Sequence, residues 1–277
     1  MDVATPRLEA ASSLALEQLA ALFTAAYDGY PLPMHLDAAG LARMIETNDL
    51  DLDAARIARV AGEPAGICML GVRGDEGWIG GMGVVPQHRR EGIGEAIMRE
   101  VLEQARSRGV HRVRLEVMHQ NDAARLLYVK LGFELLRDVC VWTLDAEPGE
   151  DTGRDVPAEE VQAFVREHRG EAEPWQRADG TLANLDALAG VTVEGAAAVY
   201  RNAGGRVLML QAAARDDEAA TALLRALRAR GSAVIVVNLP DADVCAGALA
   251  QLGARVDVRQ HEMALELHRI RGQSPGV

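Results

Sequence analysis

The spacing of apolar residues changes several times along the first half of the chain, and each change predicts an element. In "LALEQLAALFTAAY" Leu16, Leu19, Ala20 and Phe23 fall on one helical face, with Ser13 as a plausible cap. After "YDGYPLPMHL" a second, shorter helix begins at "DAAGLARMIETND". Three strand-like runs follow, separated by the turn signals "GEP" and "RGDEG". They predict an antiparallel meander of "AARIARVA", "AGICMLGV" and "WIGGMGVV".

The pattern becomes helical again after the short segment "RREGIG". The apolar residues that share this helical face are Ile97, Val101, Leu102 and Ala105. The helix is predicted to stop at Gly109. "RVRLEV" then predicts a strand, "DAARLLYVKL" a helix that ends at Gly132, and "DVCVWTL" a final strand. We therefore expect a mixed α/β domain over residues 1–146.

The stretch "DAEPGEDTGRDVP" is acidic and rich in Gly and Pro, and residues 147–157 are interpreted as a linker. A second domain is expected over 158–277. The segments "RVRLEVMHQNDAARLLYVKLGFELLRDVCVWTL" and "AVIVVNLPDADVCAGALAQLGARVDVRQHEMAL" align without a gap as strand, loop, helix, Leu-Gly and strand. This match favours a duplication, although a chance match of two αβ units is the alternative.

The composition is typical of a globular protein, with 49% hydrophobic and 25% charged residues. A net charge of −12 argues against a nucleic-acid-binding surface. No apolar run approaches the roughly 20 residues of a membrane span, and "MDVATPRLEA" does not resemble a secretion signal. The three cysteines show no metal-ligand spacing. We expect a cytoplasmic protein, monomeric or homodimeric, without a metal and without nucleic-acid or membrane partners.

The segment "RREGIG" carries chemistry suited to a phosphate. Gly92 and Gly94 remove Cβ atoms from a loop at a helix N-terminus, where free N–H groups and the helix dipole favour an anion. Arg89 and Arg90 add positive charge. The nucleotide P-loop is excluded because no Lys-Ser or Lys-Thr follows, and the dinucleotide fingerprint because Ile97 replaces its third glycine. A plain tight turn is the alternative for an isolated Gly-x-Gly.

Two motifs together resemble the GCN5-related N-acetyltransferase (GNAT) superfamily. "VVPQHRREGIG" is similar to its acyl-CoA loop, Gln/Arg-x-x-Gly-x-Gly/Ala after a strand. "NDAARLLYVKLGFE" is similar to its Asn-x-x-Ala-x-x-Leu-Tyr-x-x-x-Gly-Phe motif. The resemblance covers roughly residues 1–145 and implies a fold with a splayed central sheet. It also implies acetyl-CoA as co-substrate and a primary amine, in a small molecule or a peptide, as acceptor.

The resemblance implies where the cofactor lies. The pantetheine arm would bond backbone groups around Val84 and Val85, and the diphosphate would sit on the loop from Arg89 to Gly94. The loop residues so assigned are Arg89, Arg90, Glu91, Gly92, Ile93 and Gly94. Asn121 is expected to touch the cofactor arm, a role compatible with capping the next helix.

Two residues are candidates for proton transfer. Tyr128 matches the family tyrosine that protonates the leaving CoA sulfur, the alternative being a core tyrosine. Glu116 lies on the preceding strand, at a spacing that resembles the bacterial ribosomal-protein alanine acetyltransferases, where this glutamate is the proposed general base. A solvated glutamate, or one paired with Arg112 or Arg114, is the alternative, and a water relay is a further one. His119 is interpreted as a surface residue.

The acceptor site and the second half are less clearly marked. The acceptor is expected near "YDGYPLPMHLD", although a loop packed over the core would look similar; the candidates are Tyr27, Asp28, Tyr30, His35 and Trp78. In the second half, the residues aligned with Glu116, Asn121 and Tyr128 are Val237, Ala242 and Leu249.

An acidic helix start, Asp216 to Glu218, stands where the first half has its glycine loop. The second half therefore resembles the inactive half of tandem members of the superfamily, although in one tandem relative the C-terminal half catalyses. The main alternative for the whole chain is a non-catalytic acyl-CoA-binding or sensor module.

Overall fold

The computed structural model describes residues 6–32 and 34–267. Contacts divide the chain into two units. Unit 1 comprises Met1–Glu116, Asn121–Leu135 and Met263–Val277, and unit 2 comprises Val117–Gln120 and Leu136–Glu262. The predicted boundaries at 146 and 158 differ from this division, because the strand after Gly132 lies mainly in unit 2 and the last residues of the chain are grouped with unit 1.

Unit 1 contains the predicted helices and strands in the predicted order, preceded by a first strand, β1, that was not predicted. Its strands are β1 (Arg7–Ala10), β2 (Arg56–Val60), β3 (Glu63–Arg73), β4 (Glu76–Val84) and β5 (Arg112–Met118). Its helices are α1 (Leu16–Ala26), α2 (Ala38–Asn48), α3 (Ile93–Ser107) and α4 (Asp122–Lys130). The sheet order is β1-β2-β3-β4-β5, and β2, β3 and β4 form the predicted antiparallel meander.

The predicted cap of α1 is wrong by two residues. Ala15 is the N-cap, and its backbone N–H donates to Gln18 Oε1 at 3.2 Å. The Ser13 hydroxyl instead donates to the carbonyl oxygen of Ala10 at 2.7 Å, within the short turn that precedes the helix. The hydroxyl therefore stabilises this turn, since short side chains of this kind compete for nearby backbone groups.

Glycines in β4 allow α1 to pack directly on the strand. A Cβ atom at Gly81 would lie 2.8 Å from Phe23 Cε2, and one at Gly83 would lie 2.9 Å from Ala26 Cβ. Both distances are shorter than packed carbon atoms tolerate. Gly80 is the extra residue of a β-bulge, because Met69 pairs with Gly81 and Leu70 with Ile79. The run "IGGMG" is therefore required by the close approach of helix and strand and by the bulge.

Strands β4 and β5 are parallel for only a short distance. Their register consists of Glu76–Arg112, Gly77–Val113 and Trp78–Arg114. Beyond Trp78 the two strands separate, although β4 continues to Val84 and β5 to Met118. The predicted splay of the central sheet is therefore present, and it opens toward the end of β4 from which the chain passes into α3.

Unit 2 repeats this arrangement. Its strands are β6 (Glu134–Asp145), β7 (Arg154–Val156), β8 (Ala189–Val193), β9 (Ala196–Ala203), β10 (Arg206–Ala214), β11 (Ala233–Pro240) and β12 (Arg255–Glu266). Its helices are α5 (Ala158–His168), α6 (Asp179–Ala183), α7 (Asp217–Arg228) and α8 (Val244–Gln251). The order is β12-β6-β11-β10-β9-β8-β7.

The local details of β4 and β5 recur in β10 and β11. These strands are parallel over only Val207–Val234, Leu208–Ile235 and Met209–Val236. Strand β10 also has a bulge, at Leu210, because Met209 pairs with Tyr200 and Gln211 with Val199. The order β5-α4-β6 recurs as β11-α8-β12, in agreement with the predicted repeat. The second unit is thus a smaller GNAT-like α/β domain.

One part of the predicted linker is structured. Arg154, Asp155 and Val156 form β7 and pair with Thr192, Val191 and Gly190 of β8. Arg230 contacts the same segment, since its guanidinium pairs with Asp151 at 2.9 Å and with Asp155 at 2.6 Å. The acidic residues that suggested a linker thus bind a cation of unit 2. No helix within residues 6–32 and 34–267 is long and apolar enough to span a bilayer.

Candidate active site

The loop between β4 and α3 ends in a glycine. Gly92 is the N-cap of α3 with φ of 81°, a left-handed conformation that favours glycine. A Cβ atom there would meet no atom within 4 Å. No side chain caps α3. The start of α3 therefore presents backbone N–H groups on an open side, which is the arrangement that binds anions.

The two arginines of the loop have different surroundings. The Arg89 guanidinium donates to the carbonyl oxygens of Val84 at 3.0 Å, Ala26 at 3.2 Å and Asp28 at 2.5 Å. Arg89 thus holds the loop against the end of α1. Arg90 has φ of 67° and an exposed side chain. A left-handed conformation is costly for a residue with a Cβ atom, so the loop holds Arg90 in a strained conformation.

The backbone at the end of β4 is partly engaged already. The Val85 N–H donates to the Ala65 carbonyl at 2.9 Å, and the Val84 carbonyl accepts from Arg89. Glu91, also in the loop, contacts His88 Nδ1 at 3.0 Å. Ile93 is buried at the first helical position, where its side chain anchors the loop. These contacts fix the shape of the loop.

Three tyrosines and a cysteine gather near Met82 on β4. Tyr128 is buried, and burial, with smaller effects of Tyr27, Cys68 and Tyr30, raises its pKa well above the usual value. Burial likewise raises the pKa of Tyr27, whose hydroxyl bonds the Met82 backbone. Cys68 pairs in register with Met82, and burial raises its thiol pKa. All four groups therefore keep their protons at neutral pH.

Asn121 links the start of α4 to this cluster. Its Oδ1 accepts from the Ala124 N–H at 3.2 Å, so it is the N-cap that the sequence indicates. Burial raises the pKa of Tyr30, and a side-chain hydrogen bond with Asn121 lowers it by a smaller amount. Tyr30 packs edge-on against Tyr27, with ring centroids 5.2 Å apart. Asn121 thus lies beside the tyrosines, on the same side of unit 1.

Glu116 contacts Trp78 across the point where β4 and β5 separate. The Trp78 indole Nε1 donates to Glu116 Oε2 at 2.8 Å. Arg112 pairs with Glu266 at 3.1 Å and Arg114 with Glu76 at 3.4 Å. Each of these arginines thus has a carboxylate partner, and a pairing of either with Glu116 stays an open alternative. Trp78, predicted near the acceptor, lies beside Glu116, and this contact was not predicted.

The connection between α1 and α2 borders an open cavity of about 700 Å³, within the range of small-molecule sites. Its lining includes four of the five predicted acceptor residues, namely Tyr27, Asp28, Tyr30 and His35. Tyr27 also stacks on Phe23, with centroids 4.7 Å apart, so it belongs partly to the core. The four-residue spacing of Phe23 and Tyr27 at the end of α1 was a signal of this stacking. Pro33, in the same connection, lies outside the described residues.

Sequence comparison assigns the first half to a known family. Residues 17–133 match the acetyltransferase (GNAT) family model. An acetyltransferase of Sodalis glossinidius is 35% identical over 85 residues, which is 31% of this chain and 60% of that protein. Thialysine N-epsilon-acetyltransferase of Bos taurus is 32% identical over 98 residues, 32% of this chain and 58% of that protein. The matched segments thus span less than two thirds of either relative.

Solved structures resemble the chain over nearly its whole length. A GCN5-related N-acetyltransferase from Sphaerobacter thermophilus has a TM-score of 0.71 at 17% identity, covering 96% of each chain. A tandem GNAT protein from the clavulanic acid biosynthesis pathway has a TM-score of 0.63 at 14% identity, covering 95% of this chain and 98% of that one. These likenesses concern the fold. Residues 17–133 thus match the acetyltransferase (GNAT) family, and the fold of the chain resembles that of GNAT proteins.

Proposed function

We propose that the chain is an acetyl-CoA-dependent N-acetyltransferase that acts on a primary amine of a small molecule or a peptide. One observation carries the proposal: β4 and β5 separate after Trp78, and an uncapped α3 begins beyond the end of β4. A gap between two strands offers backbone groups to an extended pantetheine arm. The uncapped helix start offers N–H donors to the diphosphate at the end of that arm.

The residues proposed to hold CoA divide into two groups. The backbone around Val84 and Val85 and the side chain of Asn121 would contact the pantetheine arm. The diphosphate would accept from the N–H groups of the loop, which includes Glu91, Gly92, Ile93 and Gly94. Both cations are exposed. Arg90 would pair with phosphate, whereas Arg89, which donates to three backbone carbonyls, would contribute mainly by holding the loop in shape.

Tyr128 is proposed as the acid that protonates the leaving thiolate. The amine nitrogen attacks the thioester carbonyl, the C–S bond breaks, and the sulfur takes the phenolic proton. Burial raises the pKa of Tyr128, but it raises that of a thiol in similar surroundings too, as Cys68 shows. A thiolate released beside Tyr128 is therefore more basic than one in water, which offsets the raised pKa of the phenol.

Glu116 is proposed as the base that takes a proton from the attacking amine. Its carboxylate is held by Trp78 at the point where the strands separate. A fixed orientation matters because a general base must be within hydrogen-bonding reach of the proton that it removes. The cavity beside Tyr27, Asp28, Tyr30 and His35 is the proposed entrance for the amine, where aromatic faces and a carboxylate suit a cation.

The second unit is proposed to be a degenerate copy without catalysis. Its helix α7 begins with Asp216 as N-cap, and Asp216 Oδ1 accepts from the Ala219 N–H at 2.9 Å. The position corresponding to the open start of α3 thus has its own carboxylate, and Asp217 and Glu218 add further negative charge. Bound phosphate would be repelled there.

A coupled thiol-release assay tests the proposed function. Acetyl-CoA would be mixed with a panel of amines that contrasts peptide α-amines with lysine-like side-chain amines, because the bovine relative's name specifies an ε-amine. We expect release of CoA that depends on one class of amine. The rival is an acyl-CoA-binding module, and binding of acetyl-CoA without turnover across the whole panel would favour it.

A further inference from the structure

Two histidines and an aspartate from separate segments meet in unit 2. His119 follows β5, Asp138 lies on β6 and His261 on β12. Asp138 Oδ1 is 3.2 Å from His119 Nε2 and 2.7 Å from His261 Nδ1. The imidazole rings stack with centroids 3.9 Å apart and planes 22° from parallel. One carboxylate oxygen is thus approached by a nitrogen of each ring.

The contacts with Asp138 restrict where the His119 and His261 rings can carry their protons. If both rings were charged, two cations would lie 3.9 Å apart beside a single carboxylate. If both rings are neutral, each must carry its proton on the nitrogen that faces Asp138. A divalent cation bound at these two nitrogens requires each ring to carry its proton on the other nitrogen, His119 Nδ1 and His261 Nε2. The ligands are then two neutral imidazoles and one carboxylate, with no repulsion between them.

The donor distances are compatible with such a cation. Zinc bonds of about 2.0–2.2 Å in a tetrahedral arrangement place ligand atoms roughly 3.3 Å apart. The separation of His119 Nε2 from Asp138 Oδ1 is close to this value, and that of His261 Nδ1 is slightly shorter. One donor atom from each of the three residues lies within 4.8 Å of the other two. Small side-chain rotations would therefore suffice to coordinate a metal ion.

The surroundings hold the three residues in place. The His119 backbone N–H donates to the Arg259 carbonyl at 3.1 Å, and the Asp241 N–H donates to the Asp138 carbonyl at 3.0 Å. The Arg259 side chain forms an ion pair with Asp241, so its charge is directed to that carboxylate. The three side chains are half-buried, and the His119 Nε2 atom itself is shielded from solvent.

We propose that His119, Asp138 and His261 form a binding site for a divalent transition-metal ion such as zinc. Two imidazoles and one carboxylate supply three ligands, and water completes the coordination. Nitrogen donors favour zinc, cobalt or nickel over magnesium or calcium. The site does not depend on the proposed acetyltransferase function. The expectation of no metal rested on cysteine spacing, which cannot detect ligands brought together from three distant segments.

Metal titration of the full chain without a histidine tag tests the proposal. After chelation and dialysis, calorimetry with Zn²⁺ and the visible absorbance of Co²⁺ should each report one ion per chain, and Mg²⁺ should not compete. His261→Gln and Asp138→Asn should each weaken Co²⁺ binding about 100-fold or more, since even outer partners of a metal ligand contribute 10–100-fold. His168→Gln is the control, because His168 instead stacks on Phe164 in α5 and should leave binding unchanged.

A measurement on the unaltered protein guards against variants that fail to fold. The chain has 7 histidines, and Zn²⁺ should shift the ring-nitrogen NMR signals of two of them, His119 and His261. Absence of binding at micromolar metal would overturn the proposal. So would shifts confined to other histidines, or Co²⁺ binding equally strong in the His261→Gln, Asp138→Asn and unaltered proteins.

Discussion

The Trp78 indole donates a hydrogen bond of 2.8 Å to Glu116, joining β4 to β5 where the strands begin to separate. If Glu116 is the base, Trp78 positions it, and Trp78→Phe should lower kcat by roughly 10–10²-fold, a part of what a positioned base contributes. The KM for acetyl-CoA should stay nearly constant. Steady-state kinetics with an accepted amine would measure both.

A double-mutant cycle separates this role from a purely structural one. Because Trp78 would act through Glu116, Trp78→Phe should have little further effect in a chain that already carries Glu116→Gln. Independent effects that multiply in the double variant would show that the indole supports the fold and does not position the base. Full activity of Glu116→Gln would remove Glu116 from the mechanism in favour of a water relay.

The two loop arginines should respond differently to substitution. Arg89→Met removes donors to three backbone carbonyls and should lower the free energy of unfolding by about 1–3 kcal/mol. Arg90→Met should leave the melting temperature unchanged or slightly raised, because its side chain is exposed. It should weaken CoA binding in a way that diminishes with added salt.

Thermal melts and calorimetry at two salt concentrations distinguish these outcomes. The account of the loop is wrong if Arg89→Met melts at the same temperature as the unaltered protein while losing CoA binding. In that case Arg89 would contact the diphosphate directly.

Tyr128→Phe should lower kcat by roughly 10–10³-fold, the effect of losing a proton donor, while CoA affinity is nearly retained. Tyr200→Phe is the matched control, since the Tyr200 hydroxyl accepts a hydrogen bond from Arg230 within unit 2. Kinetics and CoA titration of both variants would measure the effect. Unchanged turnover in Tyr128→Phe would make Tyr128 a core residue only.

The buried tyrosines predict a specific response to alkaline pH. Burial raises the pKa of Tyr27, Tyr30 and Tyr128 above the ordinary value of about 10. Between that value and the raised pKa the unfolded chain has released protons that the folded chain still holds. Stability is therefore fully present below pH about 10 and falls as pH rises above it.

Ultraviolet titration measures the effect directly. Of the four tyrosines in the chain, these three should ionise at higher pH in the folded protein than in denaturant. Coincident titration curves with and without denaturant would contradict the packing described for this cluster.

Local sequence patterns predicted much of unit 1. The spacing of apolar residues located α1, α3 and the meander, because these elements each bury one face. The left-handed Gly92 and the capping Asn121 were also predictable, since each follows from the conformation at a helix start. The hydrogen-bond partners of Arg89 could not be predicted, because they are backbone carbonyls, which every residue has.

Contacts between distant segments were harder to foresee. Trp78 and Glu116 meet because of the short parallel register of β4 and β5, and His119 meets His261 only after the last strand is placed. Strand β7 was not predicted, because the acidic residues around it are typical of a linker. In the structure Arg230 pairs with two of them, Asp151 and Asp155. Such contacts depend on strand order, which the spacing of apolar residues does not specify.

Calorimetric titration with acetyl-CoA tests the central claim most directly. The open start of α3 at Gly92, against the capped start of α7 at Asp216, predicts saturation at one acetyl-CoA per chain. Gly92→Asp should abolish binding by placing a carboxylate at the phosphate position. Gly92→Asn is the matched control, because asparagine tolerates the left-handed conformation and adds no charge, and it should retain weakened binding. Two equivalent sites per chain, or binding that survives in Gly92→Asp, would contradict the account.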